Sequence, residues 1–337
     1  MQFGVFDHVD RNATVSLATF YEDRLALAEE YDRAGFYGYH VAEHHATPLG
    51  LSPSPSVYLS AVAQRTRRLR FGPLVYTLPQ YHPVRLIDEI CMLDQMSNGR
   101  MMLGVGRGIS PIELGMWGLD PEQVPAMYAE ALAVLLRGLR DEMLSFEGRY
   151  YRFRDYPMLL RPVQAPHPPL WYGLVREATI PWAVENAVNV VTNLPSDGTR
   201  RLTEAYRAAW RAAGKPAETM PLMGFARHLV LAATEREAYD IAKRGYDRWR
   251  DSFLKLWLEH DMEPPGHANF PQTFEEAEAR GRAVAGTPGK VAAALRASVD
   301  AGGVNYLLCR FAFGDIARDE ALQSVRLFAR EVMPALS

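Results

Sequence analysis

A (β/α)8 barrel carrying insertions is the fold the sequence predicts, on three observations. Short β-rich runs alternate with long helical patterns, as parallel βαβ units require. Eight such runs occur, at 2–6, 37–42, 69–76, 101–106, 169–174, 188–193, 222–231 and 304–310. The first run leads into Asp7-His8-Val9-Asp10, not into the glycine-rich turn that opens a doubly wound dinucleotide-binding sheet. A chain of 337 residues also suits one such barrel.

Helical patterns fill the intervals at 17–35, 55–66, 83–97, 121–140, 180–187, 198–213, 234–258, 288–301 and 319–332. In the first, Leu25, Leu27, Ala28 and Tyr31 share one face at the i+3 and i+4 spacing, and Gly35 and Gly38 punctuate the passage to the next strand. Gly104-Val105-Gly106-Arg107-Gly108 follows the fourth strand, but Pro111 comes soon after and makes it a poor Rossmann loop. Residues 145–170 read as a β-hairpin and a proline-rich arm. Residues 259–287, with Pro264-Pro265-Gly266, Pro271, Gly281 and Gly286, are too long for a simple connection and read as a lid or a disordered segment. Residues 1–337 as a whole, these segments included, read as one barrel domain without internal repeats.

Composition excludes several functions. The chain is 48% hydrophobic and 23% charged, with net charge −3, so it lacks the basic footprint of a nucleic-acid binder. No apolar run approaches the ~20 residues of a membrane span. The opening residues read as a strand, not as a secretory signal, and a cytoplasmic location is expected. Cys91 and Cys309 lie in apolar stretches and read as buried thiols.

Active sites of such barrels lie just past the C-terminal strand ends. Those positions hold Glu43, His44 and His45 after strand two, and Pro79, His82, Pro83 and Arg85 after strand three. Gly106, Arg107 and Gly108 follow strand four, Arg176 and Thr179 strand five, and Asn193 strand six. Thr179, with Pro181 behind it, reads as a helix N-cap whose free N–H groups suit a phosphate, and Arg107 as the facing guanidinium. An ordinary cap beside a surface arginine fits the same spacing. His44-His45 fits a backbone-bonded pair, a metal site with His40 and Glu43, or general acid/base work. Later strand ends supply no second His/Asp cluster for a metal. There is no G-x-S-x-G elbow, and Ser252-Phe253-Leu254-Lys255 lacks the companion motifs of a serine acyltransferase.

The segments Val41-Ala42-Glu43-His44-His45, Leu78-Pro79-Gln80-Tyr81-His82-Pro83-Val84-Arg85 and Leu93-Asp94-Gln95-Met96-Ser97-Asn98-Gly99-Arg100, with Ala285 to Val304, resemble the bacterial luciferase-like FMN-dependent monooxygenases over nearly the whole chain. The resemblance implies a cytoplasmic homodimer packed through the second and third helices. It also implies FMN at the barrel mouth, reduced to FMNH2 by a separate flavin reductase, and O2 activation through a C4a-hydroperoxyflavin that oxygenates a small, apolar organic substrate. His44 would be the catalytic acid/base. Arg107, the Val175 and Arg176 amides and the Thr179 hydroxyl would hold the phosphate. Leu74-Val75 would be a cis peptide against the flavin, with Tyr76 beside it in the pocket wall. Of the two readings of residues 259–287, the resemblance implies the mobile lid. Gly106 stands where luciferase has cysteine, and more room beside the flavin is expected there. Two other readings remain: a deazaflavin F420-dependent hydride-transfer enzyme of the same superfamily, and a non-catalytic flavin-binding subunit.

Overall fold

The computed structural model describes residues 1–264 and 270–337. Eight parallel strand positions close on themselves around a packed interior, and helices cover the outside. The barrel strands are β1 (Gln2–Asp7), β2 (Gly38–Val41), β3 (Arg70–Pro73) continued by β4 (Tyr76–Thr77), β5 (Leu103–Gly106), β8 (Leu170–Gly173), β9 (Asn189–Thr192), β10 (Met223–Leu231) and β12 (Tyr306–Arg310). β6 (Met143–Glu147) and β7 (Arg152–Pro157) form a separate antiparallel hairpin. The main order runs β3-β2-β1-β12-β10-β9-β8-β5-β4. Phe71, pairing in parallel with Met101, completes the ring between β3 and the lead-in to β5.

That closure explains two glycines. A Cβ on Gly72 would stand 2.0 Å from the Met102 carbonyl oxygen, and one on Gly104 would stand 2.0 Å from that of Pro73. Only glycine lets these backbones meet. The third strand expected at 69–76 is split at the Leu74–Val75 peptide, which is cis.

The helices follow the predicted spacing. α1 (Leu17–Ala34) starts where the Ser16 hydroxyl accepts the Thr19 N–H and ends at Gly35, whose φ of 82° lies in the left-handed region. Its buried face carries Leu27, Ala28 and Tyr31, while Leu25 is only partly covered. Then come α2 (Pro55–Arg65), α3 (Pro83–Ser97), α4 (Pro111–Met116), α5 (Val124–Arg140), α6 (Ile180–Glu185), α7 (Ser196–Ala212) and α8 (Glu235–Glu259). α9 (Phe274–Ala279) precedes β11 (Ala283–Gly286), and α10 (Pro288–Gly302), α11 (Arg318–Leu327) and α12 (Met333–Leu336) complete the chain. No described helix is long and apolar enough to cross a membrane. Cys91 and Cys309 are buried free thiols.

Two cores result. One lies between sheet and helices; the other, inside the barrel, stacks Phe6, Ala42, Met102, Trp171, Val191, Ala226, Tyr306 and Leu308. His40 belongs to this interior. Its Nε2 pairs with the Tyr306 hydroxyl at 3.0 Å, its ring lies edge-on to Trp171, and burial pulls its pKa down to about 3.

The span expected as a lid, 259–287, divides. Residues 265–269 lie outside the described residues. Residues 274–286 form α9 and β11, with Phe274, Ala277 and Ala283 to Ala285 buried. β11 pairs in parallel with the outer half of β10, from His228↔Ala283 to Leu231↔Gly286. That part of the span is sheet and core.

Candidate active site

A cavity of about 380 Å3 opens at the C-terminal ends of the strands. His44, Leu74, Val75, Gly106, Arg107 and Val175 all line it. β5 and β8 are neighbours, with Gly104 opposite Trp171, so Arg107 and the Val175–Thr179 turn leave the same end of adjacent strands. Arg107 makes no ion pair among the described residues and is exposed within a loop where Gly108 takes a φ of 83°.

Each histidine of the pair has its own carboxylate. The Nδ1–H of His44 faces Glu113 Oε2 at 3.2 Å, and the His45 N–H donates to Glu113 Oε1 at 2.6 Å. Glu113 is set on α4, whose first turn is capped by the Ser110 hydroxyl accepting the Glu113 N–H. Burial raises its pKa, but His44 and the His45 amide outweigh burial and hold it below the usual carboxylate range. Glu113 therefore stays ionised, orients His44 and leaves Nε2 of that ring to the cavity. His45 Nε2 pairs with Glu43, which also accepts the Thr77 N–H and the Tyr81 hydroxyl. Glu43 thus ties the end of β2 to the turn after β4.

Other strand-end residues are placed elsewhere. His82 lies edge-on to Phe153, and Arg85 pairs with Glu89 on the exposed side of α3. Tyr76 points outward to Ser56, at 2.8 Å, and is no pocket wall because strand alternation turns it toward the helices. Its place is taken by Tyr172, Phe253 and Ile109. Arg100 gives its guanidinium to the Ala63, Thr66 and Leu69 carbonyls, so the Leu93–Arg100 block braces the end of α2.

Two expectations are corrected. Thr179 precedes α6, but residues 177–179 already form a 3-10 turn. Thr179 does hold the N-cap position of α6, but its N–H bonds to the Arg176 carbonyl at 3.3 Å and its hydroxyl caps nothing, so the first free N–H groups lie at the start of the 3-10 turn. Gly106 leaves no extra room either. A Cβ there would meet Val75 Cγ2 at 2.3 Å, because the valine methyl already fills the space.

Residues not singled out also line the cavity: His8 after β1, Glu113, and Arg310 at the end of β12. Trp249 Nε1–H donates to His8 Nδ1 at 3.3 Å, and the His8 ring stacks on His44 at 6.1 Å. Burial, reinforced by the Arg310 charge, holds the His8 pKa well below its usual value, so the ring is neutral.

A parallel barrel with a His44–Glu113 pair and, among the described residues, an arginine without an ion pair at its C-terminal mouth has the layout of a small-molecule enzyme. The sequence profile described as luciferase-like monooxygenase matches residues 1–305, and the chain belongs to that family. It is accordingly an oxidoreductase of the monooxygenase class. It is 41% identical over 333 residues to the uncharacterized protein y4wF of Sinorhizobium fredii, covering 99% of this chain and 96% of the relative. The crystal structure of monooxygenase RslO1 from Streptomyces bottropensis superposes with a TM-score of 0.89 at 27% identity, covering all of both chains. The oxygenating constituent of 3,6-diketocamphane monooxygenase from Pseudomonas putida, a type II Baeyer-Villiger enzyme in complex with FMN, gives 0.81 at 20% identity, over 100% of this chain and 99% of that one.

Proposed function

We propose that this protein is the oxygenase component of a two-component flavin-dependent monooxygenase. It takes FMNH2 from a separate cytoplasmic reductase and uses O2 to oxygenate a small organic substrate. The carrying observation is the convergence, in one cavity, of the His44–Glu113 pair and the unpaired Arg107 next to Val175.

The residues present fit the cofactor. Arg107 offers a planar fork for phosphate oxygens, and the amides around Val175 and Arg176 lie at a helical start, which favours an anion. The Thr179 hydroxyl, free of any capping bond, is available to the same group. Leu74, Val75 and Gly106 form an apolar wall for a flat ring system. When bound, the reduced flavin supplies the electrons that activate O2.

The remaining work is the protein's. His44, oriented by Glu113, holds or delivers a proton at Nε2. Phe253, Ile109 and Leu114 exclude water from the mouth, which limits loss of activated oxygen as peroxide. Exposed apolar side chains on α2, α3 and the arm after β7, among them Val57, Met92, Met96, Leu159 and Val163, supply the face of a homodimer.

Anaerobic titration with reduced FMN followed by an oxygen pulse tests this reading. Saturable binding of FMNH2 and rapid reoxidation by O2 are expected. Binding of F420 in preference to FMN, or a bound reduced cofactor inert to O2, overturns it.

A further inference from the structure

The inward row of β12 continues from Tyr306 and Leu308 to Arg310, which comes out at the floor of the cavity. Arg310 is only 8% exposed. Its guanidinium lies 4.9 Å from the Phe6 ring centroid and donates to Asn193 Oδ1 at 3.0 Å. Its Nε is buried without a partner, and it has no ion pair among the described residues. Burial, aided by repulsion from Arg282, pulls its pKa down to about 10.

The fold gives its other buried arginines more partners. Arg24 pairs with Asp7 at 3.4 Å and Asp10 at 3.6 Å. Arg227, outside the barrel on β10, gives its terminal nitrogens to the Ala226 and Leu194 carbonyls, although its Nε, like that of Arg310, has no partner and it does not line the cavity. Arg310 has only a neutral amide oxygen, and it faces open cavity. A buried cation without a counter-charge is costly unless something else neutralises it.

The carboxylates nearby are committed elsewhere: Asp10, which attracts Arg310 from a distance, pairs with Arg24, and Glu113 and Glu43 hold the His44–His45 pair. His8 and His228 are both held neutral by burial and by Arg310. Tryptophan is a donor only, so the Trp249 bond to His8 Nδ1 places the His8 proton on Nε2, on a cavity-lining ring.

We propose that Arg310, with Asn193 positioning its fork and His8 donating from Nε2, binds an acid group of the substrate, a carboxylate or comparable oxyanion. This rests on the reading of the cavity as the oxygenation site, and it replaces a wholly apolar substrate with an acid whose apolar body lies against Phe253 and Ile109. The ion pair forms in a site shielded from water, where a charge-assisted fork discriminates strongly against a neutral isostere.

The test uses the full-length, flavin-free protein, titrated with 2-naphthoate and 2-naphthamide and followed by tryptophan fluorescence. Wild-type protein should bind the acid at least tenfold more tightly than the amide. That preference should fall below threefold in Arg310→Met and survive in Arg107→Ala. If Arg310→Met does not fold, Arg310→Lys and Asn193→Ala decide, each expected to cut the preference at least threefold. Equal binding of acid and amide by wild-type protein, a preference that persists in the Arg310 variants, or one lost in Arg107→Ala overturns the proposal. Reduced-FMN affinity is measured in parallel. Its loss in Arg310→Met, with no acid preference in wild-type protein, assigns Arg310 to the flavin and overturns the proposal as well. Failure of wild-type protein to bind FMNH2 would sink the monooxygenase reading and leave the naphthoate result standing.

Discussion

Replacing Gly106 by alanine puts a methyl where the Val75 side chain already lies. The new Cβ would be 2.3 Å from Val75 Cγ2, against the ~3.5–4.0 Å of ordinary carbon contact. Val75 must move by more than about 1 Å, and its β-branched side chain is stiff at χ1. Overpacking of this kind costs about 1–3 kcal/mol. With an unfolding entropy of ~2.1 cal/mol/K per residue over 337 residues, the melting temperature should fall by about 1.5–4 °C. In a Val75→Ala background both γ-methyls are gone, and the nearest atom is the residue 75 Cβ at 3.2 Å. There the same Gly106→Ala change should cost under ~0.5 kcal/mol, a coupling of about 0.5–3 kcal/mol between the two sites. Thermal melts of the four proteins in one double-mutant cycle measure it. Equal penalties in both backgrounds would refute the claim that Val75 occupies the space vacated at position 106.

Three further outcomes are expected. His44→Ala should leave reduced-FMN affinity near wild type but lower product formation by about 10²–10⁴-fold, with more H2O2 released per flavin oxidised; unchanged turnover would remove the acid/base role. Asp10, raised to about 7 by burial and by neighbouring Asp7 against the pull of Arg24, holds in the folded state a proton that the unfolded chain releases from pH ~4 upward. Its contribution therefore makes stability decline as pH rises from ~4 to ~7. Urea midpoints at pH 5 and 7.5 should show that decline shrinking in Asp10→Asn, and an unaltered slope would contradict the assignment. Finally, Met92→Glu with Met96→Glu, on side chains 51% and 47% exposed, should convert a dimer to monomer in sedimentation; a wild-type monomer would remove the interface.

The barrel was legible because its strands are buried on both faces and so stand out as β-rich runs between amphipathic helices. β11 was not. Ala283-Val284-Ala285-Gly286 is short, poor in β-branched residues and enclosed by prolines and glycines. It becomes a strand only because the outer half of β10 offers it a free edge. The start of α6 at Ile180 was read correctly, but the 3-10 turn at 177–179 ahead of it was not, since it carries no proline or capping signature.

At the site, the strand-end rule found His44, Arg107 and Asn193, whose positions follow from topology alone. The same rule, carried to the last strand, would have found Arg310. Glu113 had no such signal. It reaches His44 across 69 residues of chain from a helix of six, a contact that only tertiary packing creates. Tyr76 was misplaced by one step of strand alternation around the Leu74–Val75 junction.

In the proposed function Arg107 and the turn at Val175–Thr179 hold the phosphate of a reduced flavin. Anaerobic titration of wild-type protein and Arg107→Met with reduced FMN and reduced riboflavin tests it directly. Wild-type protein should prefer the phosphate ester by at least tenfold, and Arg107→Met should bind FMN no better than riboflavin. Equal affinity for the two flavins in wild-type protein, or undiminished FMN binding in the variant, would contradict it.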